Sequence, residues 1–152
     1  MVKMKVKALH LFTGILLLTV AIGAIYAGIG FILKPDGSYL GLNVNLLKDS
    51  PFKTFLIPGY ALLIVNGIGS LLGSLLSFKQ SLVTGKVTYI LGVCMVIWIL
   101  AQVYWIGFQS ILQVIFLAVG IFEILLGWMM SKNQWRNFKK RVRDDSHLLP
   151  RS

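Results

Sequence analysis

Charged residues are scarce in this chain of 152 residues, and acidic residues are the scarcest of all. Only 13% of the residues are charged, and five Asp and Glu stand against fifteen Lys and Arg. With 57% hydrophobic residues, the chain has more apolar surface than a soluble core of this size can bury. The composition therefore argues against an ordinary soluble domain and indicates an integral membrane protein.

The residues of several common active sites are also missing. Cys94 is the only cysteine, which excludes a thiol–disulfide relay within the chain. His10 and His147 lie near opposite ends of the sequence and form no metal cluster with Glu123. There is no G-x-S-x-G motif, no phosphate-binding loop and no pair of intramembrane carboxylates. We therefore expect no catalytic residue, metal site or cofactor, and an enzymatic activity is an unsupported alternative.

Four long apolar segments fill most of the chain, over residues 8–33, 55–77, 87–105 and 111–130. Each is close to the roughly 20 residues that a helix needs to cross a bilayer. The segments show no period-two alternation, which excludes a barrel and leaves helices to satisfy their backbone groups. The sequence predicts an all-α protein, a single four-helix membrane bundle with a basic tail, over residues 1–143.

The first apolar segment follows Lys3, Lys5 and Lys7, a pattern that a cleaved signal peptide also shows. Its apolar run is longer than the roughly 7–15 residues of a signal-peptide core. The stretch around Ala24 and Ala27 has no A-x-A cleavage pattern. We expect this segment to remain in the membrane as the first helix.

The basic residues are divided unevenly between the two ends of the predicted bundle. Three of the fifteen, Lys34, Lys48 and Lys53, lie between the first two segments, and the other twelve lie at the opposite end. Since the more basic side of a membrane protein faces the cytoplasm, we expect both termini there and the 34–53 loop outside. The net charge of +10 is then explained by topology and requires no nucleic-acid partner.

The segments outside the helices carry two further predictions. In the 34–53 loop, the stretch Leu40–Leu47 mixes apolar and amide residues, which suits a segment on the bilayer surface. We expect the loop as a whole to be a connector over the bundle rather than a binding lid. After the fourth helix, residues 132–143 mix aromatic and basic residues, which favours an interfacial helix bound to anionic lipid headgroups. Residues 144–152 are expected to be disordered, and 148–152 in part a remnant of expression.

Small residues on the predicted helices indicate where helices approach each other closely. In the second helix, Gly69 and Gly73 are four residues apart, and in the fourth helix Gly120 and Gly127 are seven apart. Glycines at such spacings share one helix face and let a neighbouring backbone come near. We expect these four glycines to be packing positions.

Polar residues within the helices are the candidate functional residues. Gln102, Gln109 and Gln113 are predicted toward the outside, Asn66 near the middle and Glu123 in the inner half of the membrane. They either line a track for a small ligand or proton, or hydrogen-bond neighbouring helices together, as amides often do in membranes. Glu123 favours a function because packing needs no carboxylate. With no basic residue in the spans, it is expected to be protonated or hydrogen-bonded to an amide.

A set of short motifs runs through the middle of the chain: Ser50-Pro51-Phe52 with Ile57-Pro58-Gly59, Trp98-x3-Gln102, and Gly107-x2-Ser110-x2-Gln113-x6-Gly120. With the short loops and four helices, this set resembles a widespread group of uncharacterised bacterial membrane proteins, over roughly Pro35 to Gly127. The layout is also distantly similar to that of DoxX-like proteins. The resemblance implies a four-helix fold and a location in the bacterial cytoplasmic (inner) membrane, and it implies no activity.

Two functions from different classes stay open on the sequence alone. The first is a bundle, single or homo-oligomeric, that binds or conducts a small ligand or proton along the track of polar residues. The second is a non-catalytic accessory or scaffold subunit that packs against another membrane protein through its small-residue faces. The sequence identifies neither the ligand nor the partner.

Overall fold

In a computed structural model, four long helices account for most of the chain. The structure describes the backbone of residues 2–146 and the side chains of residues 6–132. The helices are α1 (Val2–Leu33), α2 (Leu56–Phe78), α3 (Thr84–Ile106) and α4 (Ile111–Ser146). The described residues contain no strand, and the prediction of an all-α four-helix bundle is confirmed.

Each of the four helices is long and apolar enough to cross a bilayer, over Val6–Leu33, Leu56–Phe78, Thr84–Ile106 and Ile111–Lys132. Their outward faces carry large apolar side chains, such as Ile22, Ile64 and Ile97, that are largely exposed. Water would not favour so much exposed apolar surface, whereas lipid does. The chain therefore has the features of a multi-pass membrane protein.

The helix ends follow from local sequence. α2 begins at Leu56, so Pro58 lies in its first turn, where the missing N–H costs no intrahelical hydrogen bond. Between Leu62 and Ile68 the helix is π-helical. It ends where Gln80 adopts a left-handed φ of 53°, a common helix termination. α4 continues to Ser146. In the predicted interfacial segment the side chains after Lys132 lie outside the described part, as do all of residues 147–152.

The bundle consists of two helical hairpins. α1 packs along α2, α3 packs along α4, and the hairpins meet mainly through α2 and α3. Two serines of α2 donate hydrogen bonds to the backbone of α1. The Ser74 hydroxyl donates to the Gly14 carbonyl at 2.8 Å, and the Ser77 hydroxyl donates to the His10 carbonyl at 2.7 Å. The first hairpin is therefore held by hydrogen bonds as well as by apolar packing.

The second hairpin is held by glycines on both helices. A Cβ placed on Gly92 would lie 2.7 Å from the Gly120 carbonyl oxygen, and one on Gly127 would lie 2.7 Å from the Gly85 carbonyl oxygen. Each pair of glycines is seven residues apart on its own helix, which keeps it on one face. The backbones of α3 and α4 are thus in direct contact, an approach that any side chain would prevent.

The interior differs between the two ends of the bundle, here called the loop end, under the 34–55 loop, and the terminal end, where α1 starts. At the loop end, one apolar cluster contains Ala24, Phe31, Leu47, Phe55 and Leu62. Toward the terminal end, most of the fully buried side chains are polar: Thr13, Ser70, Ser74, Ser77, Thr84, Thr88 and Glu123, together with Leu17 and Met130. The two halves of the interior therefore offer different chemistry.

The 34–55 loop folds over the loop end of the bundle. The Asp36 carboxylate accepts hydrogen bonds from the Ser38 backbone N–H at 3.0 Å and the Ser38 hydroxyl at 2.7 Å, and these bonds hold the pKa of Asp36 below its ordinary value. The Phe55 N–H donates to the Pro35 carbonyl at 2.8 Å, which ties the two ends of the loop together. The loop is consequently a fixed part of the fold.

The apolar side chains of Leu40–Leu47 point into the bundle instead of toward the bilayer surface. Leu47 is buried, and Leu40, Leu42 and Val44 pack against the loop-end cluster. The segment thus covers apolar side chains that the helices leave uncovered at this end. Burying these leucines against them removes both surfaces from water.

Candidate functional site

A cavity of about 530 Å³ lies between the two hairpins at the loop end. Its walls come from all four helices, and its roof comes from Leu40, Leu42, Leu47, Phe52 and Phe55. Toward the terminal end, α1 and α4 touch through the rings of Phe12 and Phe122, which are 5.9 Å apart, and at the loop end residues of both helices line the cavity. The space fits the roughly 300–1,000 Å³ of a small-molecule site.

The cavity wall on α1 is made of small residues. Gly23, Ala24 and Ala27 line it. A Cβ on Gly23 would meet only the Phe116 ring, 3.9 Å away, so the space in front of this glycine is open. Gly23, Ala24 and Ala27 therefore leave space for the cavity on the α1 side.

Gln102 supplies a free polar group in this cavity. Its side chain lines the cavity and is half-buried. Trp98, four residues earlier, lines the cavity from the same face of α3. Within the described part of the chain, neither the Gln102 amide nor the Trp98 indole N–H makes a hydrogen bond. A donor and an amide that both donates and accepts are thus available to a ligand.

The other two predicted glutamines also line the cavity, but their amides are already bonded. The Gln113 side-chain oxygen accepts from the backbone N–H of Gln109 at 2.8 Å and of Ser110 at 3.3 Å, and its nitrogen donates to the Gly107 carbonyl at 3.3 Å. The Gln109 side chain donates to the Ile106 carbonyl. Both residues therefore organise the turn and the start of α4, where backbone N–H groups need acceptors.

The turn that these glutamines hold depends on Gly107, whose φ of 72° is left-handed. Such a conformation favours glycine. The turn brings Trp105 and Ile106 of α3, and Ser110 just before α4, to the cavity rim. The Gln113 amide thus has little hydrogen-bonding capacity left, whereas the Gln109 amide makes one hydrogen bond, through its nitrogen.

Glu123 and Asn66, the two deeper predicted residues, do not line the cavity. Val20, Met95 and Ile99 form a buried apolar cluster, against which Phe116 packs, at the floor of the cavity. Glu123 lies seven residues further along α4 than Phe116, about 10 Å at 1.5 Å per residue. The structure therefore brings the three glutamines together around one cavity and leaves Asn66 and Glu123 outside it.

Glu123 is fully buried, and neither of its carboxyl oxygens has a hydrogen-bond partner within the described residues. The Asn66 side-chain oxygen, in the π-helical segment of α2, is buried and unpartnered as well. Of the two alternatives expected for Glu123, the hydrogen bond to an amide side chain is therefore absent within the described residues. An ionised carboxylate without a partner is costly in such a place, so the geometry suits a neutral carboxyl group.

The predicted packing glycines lie at two different contacts. Gly120 and Gly127 face the backbone of α3. Gly69 and Gly73 face a side chain of α3, since a Cβ on either would lie about 3 Å from Leu91. The glycines of α3 that face Gly120 and Gly127 are Gly92 and Gly85, which the sequence-based prediction missed. The two glycines of each helix are seven residues apart, and this matched spacing would have revealed them.

Two further observations bear on identity. Comparison of the chain with family models, with curated proteins and with solved structures finds no match. Within the described residues, no group of three His, Cys, Asp or Glu side chains is placed to hold a metal ion. The cavity and its free amide are therefore the basis for a functional interpretation.

Proposed function

We propose that this protein binds a small ligand inside the membrane, in the cavity beneath the 34–55 loop. The observation that carries the proposal is the cavity of about 530 Å³ with the Gln102 amide free on its wall. A bound ligand that hydrogen-bonds to this amide gains the roughly 0.5–1.5 kcal/mol of a typical hydrogen bond.

The proposal includes a location and an orientation. The twelve basic residues at the terminal end, against three in the loop, support a cytoplasmic location of both termini. The cavity then lies in the outer leaflet, with its roof on the outside. The resemblance to small bacterial membrane proteins supports the bacterial cytoplasmic membrane, and the basic tail supports contact with anionic lipid headgroups.

Ligand binding is better supported than the conduction of a proton or ligand along a track. The apolar floor formed by Val20, Met95 and Ile99 separates the cavity from Glu123. The side chains of that layer, Val20, Met95 and Ile99, offer no polar group to receive a conducted ion. Binding needs only the cavity itself.

The accessory-subunit hypothesis has less support. That hypothesis requires helix faces of small residues to be free for another membrane protein. In the structure, Gly120 and Gly127 contact α3 of the same chain, and Gly69 and Gly73 contact its Leu91 side chain. Association with a partner, or with further copies of the chain, would need a different surface.

Native mass spectrometry of the purified protein, released gently from detergent or nanodiscs, tests the proposal. Gly23→Leu is the variant of choice because its side chain would extend from the cavity wall and its Cβ would meet no backbone atom. Ala118→Leu introduces the same side chain on the exposed face of α4 and is the matched control. Wild type and the control are expected to retain a non-covalent adduct that Gly23→Leu loses. Equal adducts, or none, in all three proteins would refute the proposal.

A further inference from the structure

The cavity is closed toward water and open toward lipid. On the water side, Leu47 and Phe55 of the roof are buried, and the Phe55 ring stacks on Phe31 with centroids 4.9 Å apart. Gln109, in the turn at the rim, is exposed. The most exposed large apolar residues of the lining are Tyr26 of α1, at 59%, and Leu112 of α4, at 54%. They stand on either side of the gap between α1 and α4, so the gap is the entrance and it faces the bilayer.

The lining contains no charged residue. It is mostly apolar and rich in aromatic rings, seven in all: Tyr26, Phe31, Phe52, Phe55, Trp98, Trp105 and Phe116. A charged group in such a space would have no counterion, and burying an unpaired charge costs far more than one hydrogen bond returns. The chemistry of the walls therefore selects an uncharged ligand.

The polar and apolar parts of the cavity are arranged along the membrane normal. Gln102 lies four residues, about 6 Å, from the loop end of α3, and Met95 at the floor lies about 10 Å deeper, at 1.5 Å per residue. The free amide is thus near the headgroup region, and the aromatic walls and floor extend from it toward the bilayer centre. A lipid of the surrounding leaflet has the same arrangement of head and chain.

From these observations we propose that the ligand is an uncharged amphipathic lipid that enters sideways between α1 and α4. Its polar head hydrogen-bonds to Gln102 and Trp98, and its hydrocarbon chain lies in the apolar space down to Met95. The inference rests on the proposed function and adds the class of ligand, the route of entry and the residues that select it.

Three probes with one chain and different heads test this inference: bromoundecanol, which is neutral, bromoundecanoate, which is anionic, and bromoundecylammonium, which is cationic. Bromine quenches nearby indole fluorescence, so Trp98 reports occupancy of the cavity. The protein is placed in nanodiscs of zwitterionic lipid, as a variant that keeps Trp98 alone (Trp105, Trp128 and Trp135→Phe). A second variant that keeps only Trp128, which is exposed on the lipid side, gives the non-specific quenching.

We expect the alcohol to quench Trp98 saturably and the two charged probes to quench it no more than they quench Trp128. Gly23→Leu should remove the saturable part, and Gln102→Leu should weaken it roughly five-fold, the value of one hydrogen bond. If the single-tryptophan variants do not fold, competition by the unbrominated alcohol, acid and amine for the adduct in native mass spectra gives the same ranking on wild-type protein.

The possible results separate this inference from the proposed function. Saturable quenching by the acid or the amine as strong as that by the alcohol would overturn the neutral-lipid inference and leave the cavity as a ligand site. Absence of saturable quenching by all three probes, with a cavity-dependent adduct still present in mass spectra, would also overturn the inference alone. Absence of both the quenching and the adduct would overturn the inference and the proposed function together.

Discussion

The contact between α3 and α4 gives a quantitative prediction for Gly92→Ala. The added Cβ would lie 2.7 Å from both the Gly120 carbonyl oxygen and the Ile124 backbone nitrogen. Favourable contacts begin near 3.5 Å, so the two backbones must separate by about 1 Å. Neither atom belongs to a side chain that could rotate away, which places the cost toward the upper part of the roughly 1–3 kcal/mol typical of overpacking.

Gly23→Ala is the matched control for this prediction. The same methyl group on α1 meets only the Phe116 ring at 3.9 Å, an ordinary contact. Both variants gain the higher helix propensity of alanine, worth up to about 1 kcal/mol, so this gain cancels in the comparison. Gly92→Ala is therefore expected to have a free energy of unfolding about 2–3 kcal/mol below that of Gly23→Ala.

The assay is reversible unfolding in mixed micelles, with SDS as denaturant and circular dichroism as the signal. Gly127→Ala should behave like Gly92→Ala because its Cβ would contact the Tyr89 backbone nitrogen. If Gly92→Ala and Gly127→Ala are as stable as Gly23→Ala, the helices of the second hairpin are not in backbone contact and the packing described above is incorrect.

Three further predictions concern the remaining candidate residues and the orientation. Because the Glu123 oxygens have no partner among the described residues, Glu123→Leu should lose no hydrogen bond and leave the free energy of unfolding unchanged or higher. Glu123→Gln should leave ligand binding intact. A clear loss of stability in the first variant, or of ligand binding in the second, would show that the carboxyl group has a role that the geometry does not reveal. Gln113→Leu should lower the free energy of unfolding by about 1 kcal/mol, as the loss of a helix cap does. Gln109→Leu should lower it by less because the Gln109 side chain is exposed. Equal losses of stability in the two variants would contradict the capping role of Gln113. A cysteine placed at Lys79, in a chain whose Cys94 is replaced by serine, should resist membrane-impermeant reagents added outside intact cells, and ready labelling would reverse the proposed orientation.

The helices and their class could be predicted from the sequence because the bilayer constrains them. Apolar length alone distinguishes a membrane helix, since each backbone group must be satisfied within the segment. The packing role of Gly120 and Gly127 was also evident, because glycines on one helix face have few other uses in a membrane.

The cavity could not be predicted, because it depends on which helices diverge. The sequence shows that Gln102, Gln109 and Gln113 are polar and near one end, and all three do line the cavity. The spacing of Ser110 and Gln113 fits a capping box, so the cap could have been read from the sequence. The bond from the Gln113 amide to the Gly107 carbonyl could not, because it depends on the φ of Gly107. Nor does periodicity show that an apolar floor isolates Glu123 from the glutamines, since that depends on the relative depth of four helices.

The central claim is that a ligand occupies the cavity under the 34–55 loop, and an experimental density map of the protein in a lipid bilayer tests it most directly. The account predicts elongated density between α1 and α4, with its polar end within hydrogen-bonding distance of the Gln102 amide and its other end against Met95. A cavity filled by the protein's own side chains, or occupied by ordered water with no density along the apolar walls, would contradict the account.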